Sequence, residues 1–396
     1  MTDVLVIGGG PAGAAAGYWL ADRGHAVTIV ERRIFPRSKA CGDIVTPRAM
    51  RQLDEMGIRQ SDAIERWHQL TGVTLVAHGR KLTVAWPHHG DQVVVARRRD
   101  LDEAVLANAA ARGATVLHGH EAIEPIVERG FVRGALIRDP GGSTSAMRAA
   151  YVVVADGANS SFGRTLGTSR TRHWPFAAAI RSYWPSPHSD RQHLEMTIDL
   201  ADRDGNALPA YGWVAPVGDG TLNIGVGLLS TARDFKGLNV AHLLDGFAES
   251  LAHRWQIDPT AATGVVRVAR VPMGGSVQPT AGPTFLIVGD AAGVASPFTG
   301  TGLDTSYETG RLAAHVLDDA LARSGPTALQ RYPRLVADAY SEDYRIARIV
   351  GRAIGMPAVM RSASNVTIRS RFVAERALRT MLGSTLGSTL ALPARR

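Results

Sequence analysis

Apolar residues fall along this chain in two rhythms. Short unbroken runs, Val4 to Ile7, Ala26 to Val30, Tyr151 to Ala155 and Phe285 to Val288, have the length and β-branched content of strands buried on both faces. Helical stretches alternate with them: Ala14 to Arg23 reads as a helix closed by Gly24, Leu101 opens a second after "VVVARRRD", and a third begins near Leu303. Between Asp156 and Asp290 the pattern changes to short strands separated by turn residues, as in "AAAIRSYW", "HLEMTIDL", "YGWVAPVGDGTLNIGVGLL" and "VVRVARVPMGG". From Gln330 onward the chain is mostly helical and arginine-rich. It closes on "LGSTLGSTLALPARR", a small repeat too short for a solenoid, whose tip is expected to be mobile.

Small residues sit at the joints of the first rhythm. Gly8, Gly10 and Gly13 form G-x-G-x-x-G between the first strand and the first helix, around Pro11 and Ala12. In that register Gly8 permits a sharp turn, Gly10 lets the backbone approach a pyrophosphate, and Gly13 allows close helix–strand packing. The helix start adds N–H donors and the positive end of a dipole. Glu31, about 20 residues on, closes the second strand where an acid can bind adenosine ribose hydroxyls and repel a 2′-phosphate; Arg32 follows it. The motif predicts a dinucleotide and does not by itself separate FAD from NAD.

The end of the chain repeats this logic. The strand from Phe285 ends in Gly289-Asp290, and the turn "AAGVASPFTGTG" leads through Gly300 and Gly302 to the helix at Leu303. Asp290 is placed to bond a polyol, and the helix start aims free N–H groups at something electron-rich. A ribityl chain and the N1–C2=O edge of an isoalloxazine match both. Two further elements are Asp156-Gly157 after the strand at Tyr151, and Arg98 just before the helix that Leu101 begins.

Composition narrows the rest. With 396 residues, 45% hydrophobic and 20% charged, the chain can bury a large core in two or three folding units. A single cysteine, Cys41, excludes an internal disulfide framework and fits a reducing cytoplasm. The apolar N-terminus lacks the basic region of a signal peptide, and no apolar run is long enough to cross a bilayer. The expectation is a cytoplasmic protein, at most peripheral to a membrane. The net charge of +8 is nearly all arginine, since Lys39, Lys81 and Lys236 are the only lysines. The arginines are scattered apart from Arg97–Arg99 and the C-terminal stretch, and no nucleic-acid motif accompanies them. Nucleic acid is not an expected partner; an anionic membrane surface is compatible.

Taken together, the Gly-rich turn, the arginine before a helix, the Asp-Gly pair and the Gly-Asp pair resemble the FAD-dependent superfamily related to p-hydroxybenzoate hydroxylase. There the four motifs enclose one FAD. The resemblance implies an α/β fold: a Rossmann-type FAD-binding domain over 1–170 and 271–330, an antiparallel β-sheet substrate domain over 171–270, and a C-terminal helical region over 331–396. Three segments resemble the geranylgeranyl reductase family more closely. "PRSKACGDIVTPRA" is similar to its P-R-x-K-x-C-G segment, "YGWVAP" (211–216) to its Y-x-W-x-F-P signature, and "PMGG" (272–275) precedes the Gly-Asp strand as it does there. Within that family the chain resembles the branch that reduces an isoprene unit of menaquinone side chains.

The resemblance implies hydride delivery from flavin N5 to a prenyl double bond of a lipophilic substrate. It places Cys41 and Gly42 beside the isoalloxazine, with Tyr211 and Trp213 lining the prenyl channel. Cys41, Tyr211 or a held water supplies the proton. No second Rossmann fingerprint is present, so the external electron donor, NAD(P)H or a redox protein, binds transiently. An FAD-dependent monooxygenase acting on a polycyclic or prenylated molecule is the alternative on the same fold. Three positions depart from the family pattern: Asp43 where a second glycine is common, Ala215 for a bulky apolar residue of the chamber wall, and Thr301 for an acid.

Overall fold

The computed structural model describes residues 2–58, 66–86, 92–171, 174–202, 205–232, 234–297 and 300–381. The C-terminal repeat at 382–396 lies outside them. The fully apolar runs became a parallel core, ordered Thr115–His118, Val27–Glu31, Thr2–Ile7, Thr144–Val154 and Phe285–Ile287. The second half of Thr144–Val154 runs parallel to Thr2–Ile7, while its first half pairs antiparallel with Phe131–Arg138, which continues to Glu121–Glu128. One long strand thus joins the parallel sheet to a meander.

Helices cover the parallel sheet because their small residues let them come close. Pro11–Ala21 packs against Leu303–Asp319 and Arg98–Ala111. A Cβ on Gly310 would stand 2.3 Å from the Ala12 carbonyl oxygen, so the two helix backbones touch. The helix expected from Leu101 starts at Arg98 instead. Arg98 stabilises that first turn itself, donating from Nε and Nη2 to both carboxylate oxygens of Asp102 one turn on, at 2.7 and 2.8 Å.

The second sheet is ordered Thr263–Pro272, Phe176–Pro185, Thr221–Leu229, Ala210–Pro216, His193–Thr197, Gly72–Ala77 and Arg80–Ala85. Every pairing is antiparallel except His193–Thr197 with Gly72–Ala77, which is parallel. Its last two strands come from the stretch 72–85, within the span expected to belong wholly to the nucleotide part. They form a two-residue hairpin in which His78 and Gly79 both have positive φ (49° and 69°), a turn whose twist suits paired strands. A small third sheet, Ile44–Val45, Val93–Val95 and His68–Leu70, connects the two bodies.

Of three C-terminal helices, Tyr332–Ile354 packs on Leu303–Asp319, while Pro357–Arg369 and Arg371–Met381 close over the Gly72–Ala77 and Arg80–Ala85 edge of the second sheet. Ile368, Ala374 and Leu378 enter the apolar cluster of Leu75, Tyr183 and Trp213. His78 Nε2 lies 2.9 Å from Ser364 Oγ.

Candidate functional site

The Gly-rich turn is built as its spacing requires. Gly8 has φ 103°, and a Cβ there would lie 2.4 Å from the Ala155 carbonyl oxygen. At Gly13 a Cβ would lie 1.9 Å from the Gly8 oxygen. Gly10 differs, since a Cβ would meet only Arg37 Nη2, at 3.4 Å. Its face is kept bare toward open space at the start of the helix Pro11–Ala21, where no side chain caps the free N–H groups. Beneath the turn, Glu31 is buried and accepts from Gly9 N and Arg33 N, both at 2.8 Å. Two bonds leave its carboxylate with capacity for ribose hydroxyls. Arg32, beside it, is exposed.

Asp156 and Gly157 abut this turn: the Gly8 Cβ position lies 3.2 Å from Asp156 Cα. Asp156 Oδ2 accepts from Phe162 N at 2.9 Å, whereas Oδ1 is buried with no hydrogen-bond partner among the described residues. Burial pushes this carboxyl above its ordinary range. Buried oxygens are rarely left orphaned, and a bound ligand would satisfy this one.

On the other side of Pro11, Gly289 packs against Ala12, where a Cβ would come within 2.7 Å. This sets Asp290 next to the start of Leu303–Asp319, with Gly302 at the N-cap and Gly300 at φ 71°. Lys39 Nζ stands 2.8 Å from Asp290 Oδ2. Burial alone would raise the Asp290 carboxyl, but the Lys39 ammonium and then Arg98 override it and hold the group below its usual range. An anionic acceptor and a helix N-terminus with a nearby cation therefore face one space. These donors and acceptors, with the bare face of Gly10, fit FAD.

That space is a cavity of about 340 Å³. Pro11, Arg98, Asp290, Gly302 and Leu303 line one side, and the Cys41–Gly42 loop borders it. The second sheet supplies an apolar wall that includes Ala179, Met196, Tyr211 and Trp213. Burial first, and the neighbouring Cys41 second, push the Tyr211 phenol up to about 12. It stays protonated across the physiological range. Its oxygen lies 3.7 Å from where a Gly300 Cβ would stand.

A buried polar network holds the Cys41 loop in place. Asn223 is fully buried; its Nδ2 donates to the Cys41 carbonyl at 2.9 Å and to Asp43 Oδ2 at 2.8 Å, while its Oδ1 accepts from Trp213 Nε1 at 3.0 Å. The Tyr183 hydroxyl also donates to Asp43 Oδ2, and Arg98 N donates to Oδ1 at 3.3 Å. Arg181 Nη2 donates to the Lys39 carbonyl at 2.7 Å. Asp43 has φ 60°, a backbone region that favours glycine and tolerates Asp. This explains both the glycine common at that position and what Asp adds: a side chain that ties the loop to the sheet.

The expected residues thus converge, with two refinements. Trp213 offers the cavity its ring, because its N–H is committed to Asn223. Ala215 is fully buried in the cluster with Trp213 and Val217 and does not line the cavity, so it is not the chamber-wall position that the resemblance implied. Arg181 and Asn223 carry no expectation from the sequence, and Lys39 enters there only as the lysine of the P-R-x-K-x-C-G segment, without a role. A signal existed for two of them: an Arg inside "AAAIRSYW" and an Asn inside "TLNIGVGLL" are polar residues within buried strands, where each needs partners. The cavity also receives Ile354, Met360 and Leu378 from the C-terminal helices.

Comparison with known proteins agrees with this geometry. The family model described as FAD binding domain matches residues 1–338. A menaquinone reductase of Mycolicibacterium smegmatis is 32% identical over 382 residues, 96% of this chain and 91% of its own. Digeranylgeranylglycerophospholipid reductase 1 of Methanopyrus kandleri is 30% identical over 357 residues, covering 89% of this chain and 90% of its own. Among solved structures, a geranylgeranyl bacteriochlorophyll reductase-like protein from Thermoplasma acidophilum shares the fold at a TM-score of 0.80, with 23% identity and 95% of each chain covered.

Proposed function

The chain belongs to the FAD binding domain family, an FAD-dependent oxidoreductase by that membership, and on that footing we propose that it saturates a carbon–carbon double bond of an isoprenoid or prenylated substrate. The observation that supports this reading best is the cavity itself. An apolar wall that suits a hydrocarbon chain faces the polar cradle where the flavin's reactive edge belongs. Relatives over nearly the whole chain are named for reduction of menaquinone and of a digeranylgeranyl lipid.

Bound FAD, once reduced, supplies a hydride at N5. The chain does the rest. Gly8, Gly10, Pro11, Ala12, Gly13 and Glu31 hold the dinucleotide end, with Arg32, Asp156 and Gly157 at its border. Asp290, Gly289, Gly300, Gly302, Leu303 and Arg98 would hold the flavin end, with Cys41 and Gly42 bordering the same cavity. The ring of Trp213 and its apolar neighbours orient the alkene and exclude water, so a hydrophobic substrate is held with one bond near the reacting atom. Hydride addition to one alkene carbon requires a proton at the other. The Tyr211 phenol, which burial keeps protonated, and the Cys41 side chain both border the cavity, and either of them or a held water would supply it. The electron donor, NAD(P)H or a redox protein, binds transiently at the surface.

The protein with its FAD should be reduced without oxygen and mixed with a menaquinone or a geranylgeranyl compound in detergent. Flavin reoxidation under strict anaerobiosis, with a product heavier by two hydrogens, is the expected result. Reoxidation only on admission of air, with an oxygen atom gained by the substrate, would replace this reading with a monooxygenase.

A further inference from the structure

Most of the large exposed apolar side chains among the described residues lie in one stretch of the chain. Of nine large apolar side chains exposed among the described residues, six lie in the C-terminal helical region: Ile346, Ile349, Met356, Val359, Val366 and Phe372, the last 75% exposed. A mixture of this kind is uncommon on a water-facing surface unless something covers it. The charge of the same stretch is one-sided. Residues 345–381 contain eight arginines, no lysine, and a single acid, Glu375, which pairs with Arg371 at 2.8 Å. Arg345, Arg352, Arg361, Arg369, Arg371 and Arg376 are exposed alongside the apolar side chains. No described helix is long and apolar enough to cross a membrane, so the surface can rest on a bilayer but not span it.

We propose that the helices over 345–381 form a docking surface for an anionic lipid leaflet. Arginine heads would meet lipid phosphates, and Ile349, Val366 and Phe372 would enter the acyl boundary between them. Charge complementarity selects this occupant, since eight arginines against one acid suit a sheet of phosphates better than a second copy of the same basic face. The inner side of these helices supplies Ile354, Met360 and Leu378 to the cavity wall. A lipid-borne substrate would then pass from bilayer to cavity along one set of helices. This rests on the reading above that the substrate is lipophilic.

The test is flotation of the FAD-loaded full chain with vesicles of equal parts phosphatidylglycerol and phosphatidylcholine, and with vesicles of phosphatidylcholine alone. Binding to the first, weak binding to the second, and release by salt are expected. Phe372→Asp with Ile349→Asp should lower the bound fraction about tenfold or more. So should Arg361→Glu with Arg369→Glu. Retained FAD and unchanged unfolding midpoints would show that the variants are folded. Equal binding to both vesicles, or variants that bind as the parent does, would overturn the docking surface. So would a dimer that ignores vesicles and falls apart on Phe372→Asp. Substrate reduction in detergent without vesicle binding removes this proposal and leaves the reductase; vesicle binding without reduction does the reverse.

Discussion

At the scale of single residues, the loop that carries Cys41 depends on an amide that never reaches the ligand. Asn223 holds the Cys41 carbonyl, Asp43 and Trp213 at once, so Asn223→Ala leaves the Trp213 indole N–H and the Cys41 carbonyl without that partner, while Asp43 Oδ2 keeps only the Tyr183 hydroxyl. Each unsatisfied buried group costs about 1–3 kcal/mol. Chemical denaturation should show a loss in that range, and the flavin fluorescence of the variant should change as the loop loosens. Lys39 makes a different prediction. Because Asp290 is held below its ordinary 3.8, the Lys39–Asp290 pair contributes stability above the normal carboxylate range, and this is lost as the pH falls through the lowered value. In Lys39→Met, burial is opposed only by Arg98 and the carboxyl rises relative to the parent. The unfolding temperature of the parent should therefore drop more steeply on acidification than that of the variant. Sequence reading reached Asp290 through its Gly-Asp motif but not its cation, because a pair separated by 251 positions has no local signature. Asp43 was noticed only as a departure; its positive φ and its partners are tertiary facts.

At the scale of elements, the glycines separate into those that serve packing and one that serves a ligand. Gly310→Ala drives a methyl into the Ala12 carbonyl, and overpacking of this kind costs about 1–3 kcal/mol. Gly10→Ala meets nothing closer than a flexible guanidinium. The second variant should unfold like the parent yet bind FAD about tenfold or more weakly, measured by flavin fluorescence on titration; the first should lose stability. The Gly-rich turn was legible because covalent neighbours carry the whole pattern. The hairpin Gly72–Ala77 and Arg80–Ala85 was not placed. Its own alternation suggests strands, but only the pairing with His193–Thr197, more than a hundred residues away, assigns it to the second sheet.

At the scale of the molecule, the order of motifs along the chain was enough to give the class of fold and its cofactor. The parallel strands are continuous apolar runs joined by diagnostic turns, so each half of the cradle could be read locally. What could not be read is how the halves and the chamber interlock. The C-terminal helices looked basic and amphipathic in sequence. That they also furnish part of the cavity wall emerges only from their packing on the second sheet.

The interruption of the cofactor sheet by the chamber has a consequence for biosynthesis. The strand Thr2–Ile7 is made long before Phe285–Ile287 and the helix Leu303–Asp319 that complete its nucleotide cradle, with every strand of the chamber made in between. A nascent chain that has emerged only as far as Pro272 owns every strand of the chamber and half of the flavin's anchors. Vitamin capture must therefore be a late event, and a polypeptide released early would expose an unclosed sheet instead of carrying a yellow cofactor. Colour, in this protein, reports that translation has passed the helix Leu303–Asp319.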